Sequence, residues 1–307
     1  MIYTCTLNPS VDYHIETENL SLGMLNRIEH TAFYPGGKGI NVSRVLHNLG
    51  MSSVALGFIG GFTGDFIEES IKKIGIRTNF VKQEQPTRIN VKIKTANEET
   101  EVNDQGASIA EQHQAALLQK LEQLTKKDYL VISGSLPASV SFSIYEKMAR
   151  RCSEKGVSLI VDIPHQALKD LLIYEPLLVK PNQAELSEIV GMDIHNKEDA
   201  VKGAKKLVQL GAQNVIVSMG KDGAVFVNEQ IILSGETPRG TLKSSVGAGD
   251  SLVAGFLASF VQKGNVKHAF QQGVAAGSAT AYSDDLCHKQ EVFDLFTKVK
   301  ISHLKGE

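Results

Sequence analysis

Residues 129–162 read YLVISGSLPASVSFSIYEKMARRCSEKGVSLIVD. Tyr129–Ser133 and Val157–Asp162 are short runs rich in Val, Ile and Leu, the pattern of strands buried on both faces. Ser143–Lys155 between them has helical spacing of apolar residues. Gly156 stands where a glycine in the left-handed region closes a helix. A strand, a helix and a strand in that order predict a parallel pair joined by a crossover.

The same rhythm extends in both directions. Further strands are expected at Ile2–Leu7, Val54–Ile59, Leu177–Lys180, Val215–Met219 and Ala224–Val227. Helices are expected at Ile40–Leu49, Asp65–Ile74, Ala110–Thr125, Gln183–Val190 and Asp199–Leu210, with a mostly helical stretch after Ser245. This alternation predicts an α/β fold: a mainly parallel sheet sandwiched by helices. Two stretches break it. Tyr13–Thr31 is polar and weakly periodic. Arg88–Asn103 alternates Val91 and Ile93 with Asn90, Lys92 and Lys94 before a turn at Ala96–Glu98. That is a hairpin with one wet face, read either as a lid or as an edge extension of the main sheet. One domain over 1–307, with lid insertions at about 12–32 and 88–104, is the expected organisation.

The chain has 307 residues, 32 Lys+Arg against 34 Asp+Glu, and 42% apolar residues. That balance argues against nucleic-acid binding, which calls for a basic excess. The longest mostly apolar run, about Leu252–Val261, is well short of the roughly 18 residues of a membrane span. The start, MIYTCTLNPS, lacks the features of a signal peptide, so a cytoplasmic protein is expected. Cys5, Cys152 and Cys287 form no CxxC pair and imply no metal or disulfide framework.

Four short elements carry candidate chemistry. Ser245-Val246-Gly247-Ala248-Gly249-Asp250-Ser251 precedes an apolar helix. Its glycines allow close backbone approach, and the free N–H groups of the helix start attract an anion. Asp250 would lie beside that anion and could take a proton from an attacking hydroxyl; a plain N-cap with a turn is the structural alternative. Pro35-Gly36-Gly37-Lys38-Gly39-Ile40-Asn41 fits neither GxxxxGK[ST] nor GxGxxG. It suits either a polyhydroxylated ligand or a glycine-rich turn with a solvated lysine. In Lys180-Pro181-Asn182-Gln183-Ala184-Glu185, the spacing of Asn182 and Glu185 suits both a capping box and a hydrated Mg²⁺. Ser218-Met219-Gly220-Lys221-Asp222-Gly223 is a glycine turn at the carboxyl end of a strand, where α/β sheets bind ligands.

Together, GGKGINVS, KPNxxE, SMGxxG and VGAGDS, in this order and with TLNPSVD, TRIN and SGSLP, resemble the ribokinase-like (PfkB) family of carbohydrate kinases over essentially the whole chain. The resemblance implies a ribokinase-like fold with a β-strand lid and ATP as co-substrate with Mg²⁺. The expected acceptor is a ketose phosphate: fructose 1-phosphate going to fructose 1,6-bisphosphate first, tagatose 6-phosphate second. A non-catalytic sugar-phosphate sensor is a remote alternative. Asp250 becomes the catalytic base, and the amides of Gly247, Ala248 and Gly249 an anion hole. Asp12, Gly37 and Asn41 hold the sugar; Lys38, Arg88 and Arg27 are candidates for its phosphate. Lys180, Asn182, Ser218, Gly220 and Gly223 face the nucleotide, and Glu185 faces Mg²⁺ through water. A homodimer through the lid is expected, with no nucleic-acid or membrane partner.

Overall fold

The computed structural model describes residues 1–304, apart from the side chains of residues 165 and 166. The chain begins β1 (Ile2–Thr6), β2 (Ser10–Glu16), β3 (His30–Gly36), α1 (Lys38–Asn48), β4 (Ser53–Gly60) and α2 (Gly61–Lys73). Next come β5 (Arg77–Thr78), β6 (Val81–Gln83), β7 (Arg88–Lys94), β8 (Glu99–Val102), α3 (Glu111–Lys120), β9 (Tyr129–Ser133) and α4 (Ser143–Lys155). They are followed by β10 (Ser158–Asp162), α5 (His165–Leu171), β11 (Leu178–Val179), α6 (Gln183–Val190), α7 (Lys197–Gln209) and β12 (Val215–Ser218). The last are β13 (Ala224–Val227), β14 (Ile232–Gly235), α8 (Ala248–Lys263), α9 (Val266–Ala281), α10 (Lys289–Phe296) and β15 (Ile301–His303).

The β9–α4–β10 unit forms as its sequence predicts. Gly156 takes φ 67° and stops α4, whose buried Ile144, Tyr145, Met148, Ala149 and Cys152 face the sheet. β9 and β10 pair in parallel, with Asp162 opposite Ser133. The main sheet has the order β15-β14-β13-β12-β11-β10-β9-β1-β4-β5, with β6 on β4. From β5 to β12 the pairing is parallel. From β12 to β15 it is antiparallel, so the sheet is mainly parallel, as the alternation predicts. Both faces are covered. Leu130 and Ile132 enter one apolar layer with α3, α4 and α7, while Val131 enters the other with α1, α8 and α9. This double burial is why the strands are continuously apolar.

β2, β3, β7 and β8 make a separate four-stranded sheet, ordered β3-β2-β7-β8. The hairpin is therefore not an edge extension of the main sheet. Ser10–Glu16 is a strand, although part of it reads as irregular and polar; it pairs in parallel with β7. The expected wet face is inverted. Asn90 and Lys92 are buried toward the interior of the molecule, while Ile89 on the other face is partly exposed. Among the described residues, no helix is long and apolar enough to cross a membrane.

Candidate active site

A cleft of about 1390 Å³ opens at the carboxyl ends of the parallel strands, with the small sheet as one wall. Its floor gathers residues from distant parts of the chain. Thr6, Ser133 and Asp162 stand in register at the ends of β1, β9 and β10. Lys180 follows β11, and Ser218 closes β12.

α8 starts at this floor. Gly247 has φ 76°, and a β-carbon there would lie 2.6 Å from Leu286 Cδ2, so only glycine fits. Ala248, Gly249 and Asp250 form the first helical turn, the place where a helix has N–H groups to spare, although the Ala248 N–H here donates to the Ser245 carbonyl at 3.3 Å. Asp250 is 5% exposed. Its Oδ2 accepts a hydrogen bond from Asn41 Nδ2 at 2.9 Å.

Asp162, 2% exposed, is the hub of the floor. Lys38 Nζ is 3.2 Å and Lys180 Nζ 3.4 Å from the same oxygen, Oδ1. Burial alone would raise the Asp162 carboxyl, but Lys180 and Lys38 outweigh it and hold the group below its ordinary range. Lys38 is raised in turn, chiefly by Asp162. Burial, and then the charge of Asp162, push Asp250 up to about 6 against the pull of Lys38, Asn41 and Lys180. Asp162 is the residue that reading the sequence missed. The available signal was a carboxylate ending a strand buried on both faces, where a charge needs a partner.

At the other end, Asp12 Oδ1 accepts from Ser10 Oγ at 2.7 Å and from Asn90 Nδ2 at 3.2 Å. A β-carbon on Gly36 would collide with the Asp12 carboxylate, and one on Gly37, at φ 111°, with Thr6. Lys38, the candidate for the sugar's own phosphate, lines the cleft and is paired there with Asp162. Arg88 gives its donors to main-chain carbonyls: Nη1 to Asp104 at 2.6 Å, Nη2 to Asn8 at 3.0 Å and Nε to Pro9 at 3.4 Å. It clasps the small sheet to the loop after β1 and lines the cleft. Arg27 is not brought in: it stands exposed in the connection between β2 and β3, away from the cleft of its own chain.

At the start of α6, the capping box expected of Asn182 and Glu185 forms. Asn182 Oδ1 accepts from the Glu185 N–H at 2.9 Å, and Glu185 Oε2 from the Asn182 N–H at 2.8 Å. Glu185 still lines the cleft, with Oε1 outside the cap. One carboxylate oxygen outside the cap and facing the cleft suits a Mg²⁺ that keeps most of its water. Asn182 bridges in parallel to Ser218, joining the two loops. Gly220 and Gly223 have φ 57° and 88°, and a β-carbon at Gly223 would meet the Gly235 carbonyl at 2.0 Å.

Comparison with known proteins agrees with this architecture. The model of the pfkB family of carbohydrate kinases matches residues 6–290. The chain belongs to that family and is an ATP-dependent carbohydrate kinase. It is 44% identical to 1-phosphofructokinase of Bacillus subtilis (strain 168), across 99% of this chain and 100% of the relative. It is 36% identical to D-tagatose-1-phosphate kinase of Bacillus licheniformis, across 99% and 100%. Phosphofructokinase-2 from Escherichia coli, solved in complex with fructose-6-phosphate, superposes with a TM-score of 0.91 at 31% identity, covering 96% of this chain and 98% of that one.

Proposed function

We propose that this kinase transfers the γ-phosphoryl group of ATP to the free primary hydroxyl of fructose 1-phosphate, giving fructose 1,6-bisphosphate and ADP. The observation that carries the chemistry is the meeting of Asp250, the first turn of α8 and two lysines on Asp162. The substrate rests on the full-length likeness to two proteins named 1-phosphofructokinase, at 44% and 40% identity.

The hydroxyl proton goes to Asp250 as the oxygen–phosphorus bond forms and the bond from phosphorus to the ADP oxygen breaks. A base held up to about 6 is still ionised at neutral pH yet takes a proton more readily than an ordinary aspartate. The amides of Gly247, Ala248 and Gly249, with Lys38 and Lys180, neutralise charge on the equatorial oxygens. Asp12, Gly37 and Asn41 hold the sugar. Ser218, Gly220, Gly223 and Asn182 hold the nucleotide. Glu185, through water, and the phosphates would hold Mg²⁺, which screens phosphate charge when bound. The intact run Gly247–Asp250 argues against a sensor without activity.

We also read the chain as one kinase domain, working in the cytoplasm as a homodimer joined through the small sheet. The motive for the dimer is apolar surface on and beside that sheet, at Leu22, Met24, Leu25 and Phe33. Light scattering should give twice the chain mass, and Leu25→Asp should halve it; a monomeric wild type would end this reading. For the reaction, ADP release with Mg-ATP is compared for fructose 1-phosphate, tagatose 6-phosphate and fructose 6-phosphate. The highest kcat/KM is expected with fructose 1-phosphate. A preference for either other acceptor would overturn the assignment.

A further inference from the structure

Lys92 is a lysine in an unusual place. It lies on the cleft-facing side of β7, 7% exposed, with Asn90 beside it at the same exposure. Register sets Asn90 opposite Asp12 and Lys92 opposite His14 on β2, and Lys92 opposite Glu101 on β8. Lys92 Nζ is 3.5 Å from Asp12 Oδ2 and 4.0 Å from Glu101 Oε1. Both distances exceed the roughly 2.7–2.9 Å of an ammonium–carboxylate hydrogen bond. Asn90 spends its Nδ2 on Asp12, and its buried Oδ1 has no partner among the described residues.

One wall of the cleft thus offers a cation with only donors, an open carboxylate oxygen and an unpartnered amide oxygen. A phosphate would suit the ammonium but would face Asp12 and Glu101 and bring no proton for Asn90 Oδ1. Neighbouring hydroxyls satisfy the whole set: each can accept from the ammonium and donate to an oxygen. We propose that Lys92, with Asn90 Oδ1 and Asp12 Oδ2, reads adjacent ring hydroxyls of the bound ketose, which makes Lys92 the specificity-determining residue for their configuration. An inverted hydroxyl turns away from the ammonium and leaves buried polar groups unpaired, the situation in which a site rejects an analogue most strongly.

The inference rests on the reading that the acceptor is a ketose phosphate. Fructose and tagatose 1-phosphates differ only at the C4 hydroxyl and serve as the probes. With wild type, kcat/KM for the two is expected to differ. Lys92→Met should lower kcat/KM for the preferred epimer by roughly 10–100-fold, leave KM for ATP unchanged and bring the epimer ratio toward one. Lys92→Gln, which keeps a neutral donor, should fall between, and it decides alone if the Met variant does not fold. Equal losses for both epimers, with the ratio kept, would overturn the role of Lys92 while the function stands. A wild type inactive on both epimers would remove the ketose 1-phosphate reading and, with it, this inference.

Discussion

Lys180 Nζ packs against Gly249, so closely that a β-carbon there would lie 3.2 Å from the ammonium. The glycine is helical, so its need is for space rather than for an unusual backbone angle. Gly249→Ala should therefore fold normally but push Lys180 away from the first turn of α8. Turnover is expected to fall by roughly 10²-fold, as when one donor to a developing anion is lost. A kcat within twofold of wild type, with an unchanged melting temperature, would separate Lys180 from the transfer step.

Asp250→Asn keeps the shape and the hydrogen-bonding reach of the side chain but removes the proton acceptor. Turnover should drop by about 10²–10⁴-fold with ATP affinity retained. Single-turnover rates and nucleotide titration separate the two effects. An undiminished rate would take Asp250 out of the chemistry.

The pH dependence follows from Asp250 being held at about 6. Activity requires the ionised form, so kcat should rise with pH through that region. Asp162→Asn removes a neighbouring negative charge and should move this acidic limb to lower pH. The stability effect has the opposite sense. A carboxyl raised in the folded state adds stability below its unfolded value near 4, and that stability is lost as pH rises through about 6. Asp250→Asn should accordingly melt higher than wild type at pH 7–8 and lose that advantage by about pH 4. By contrast, Asp162→Ala leaves Lys180 buried without its anion, a loss of about 3–5 kcal/mol.

Glu185→Gln preserves the capping box, because glutamine can also accept from the Asn182 N–H. Helix α6 should remain intact. The Mg²⁺ concentration for half-maximal rate should rise roughly 10-fold or more. An unchanged Mg²⁺ requirement would leave Glu185 as a cap alone.

The fold was legible where local chemistry and tertiary demand agree. The bounds of α4, α6, β9 and β13 coincide with their sequence readings, because glycine stops, a capping box and two-sided burial all leave local marks. β14 and β15 left few: Ile232–Gly235 and Ile301–His303 are short strands with little apolar alternation, and β15 is the edge of the main sheet. Asp250, Asn41 and Lys180 were visible as members of motifs. Asp162 was not, since its partner Lys38 lies 124 residues away and only the strand order brings them together. Lys92 was misread for a different reason. Alternation shows that a strand has two unlike faces, but it cannot say which of them meets water, and here the polar face lines the cleft.

The order of the elements along the chain also bears on when activity can arise during synthesis. A nascent chain halted at Gly235, the end of β14, already contains Asp12, Lys38, Asp162 and Lys180, yet α8 with Asp250 has still to be made. Such an intermediate lacks Asp250, the residue proposed above to take the proton. On that proposal, phosphoryl transfer has to wait until α8 has been made and packed against the sheet.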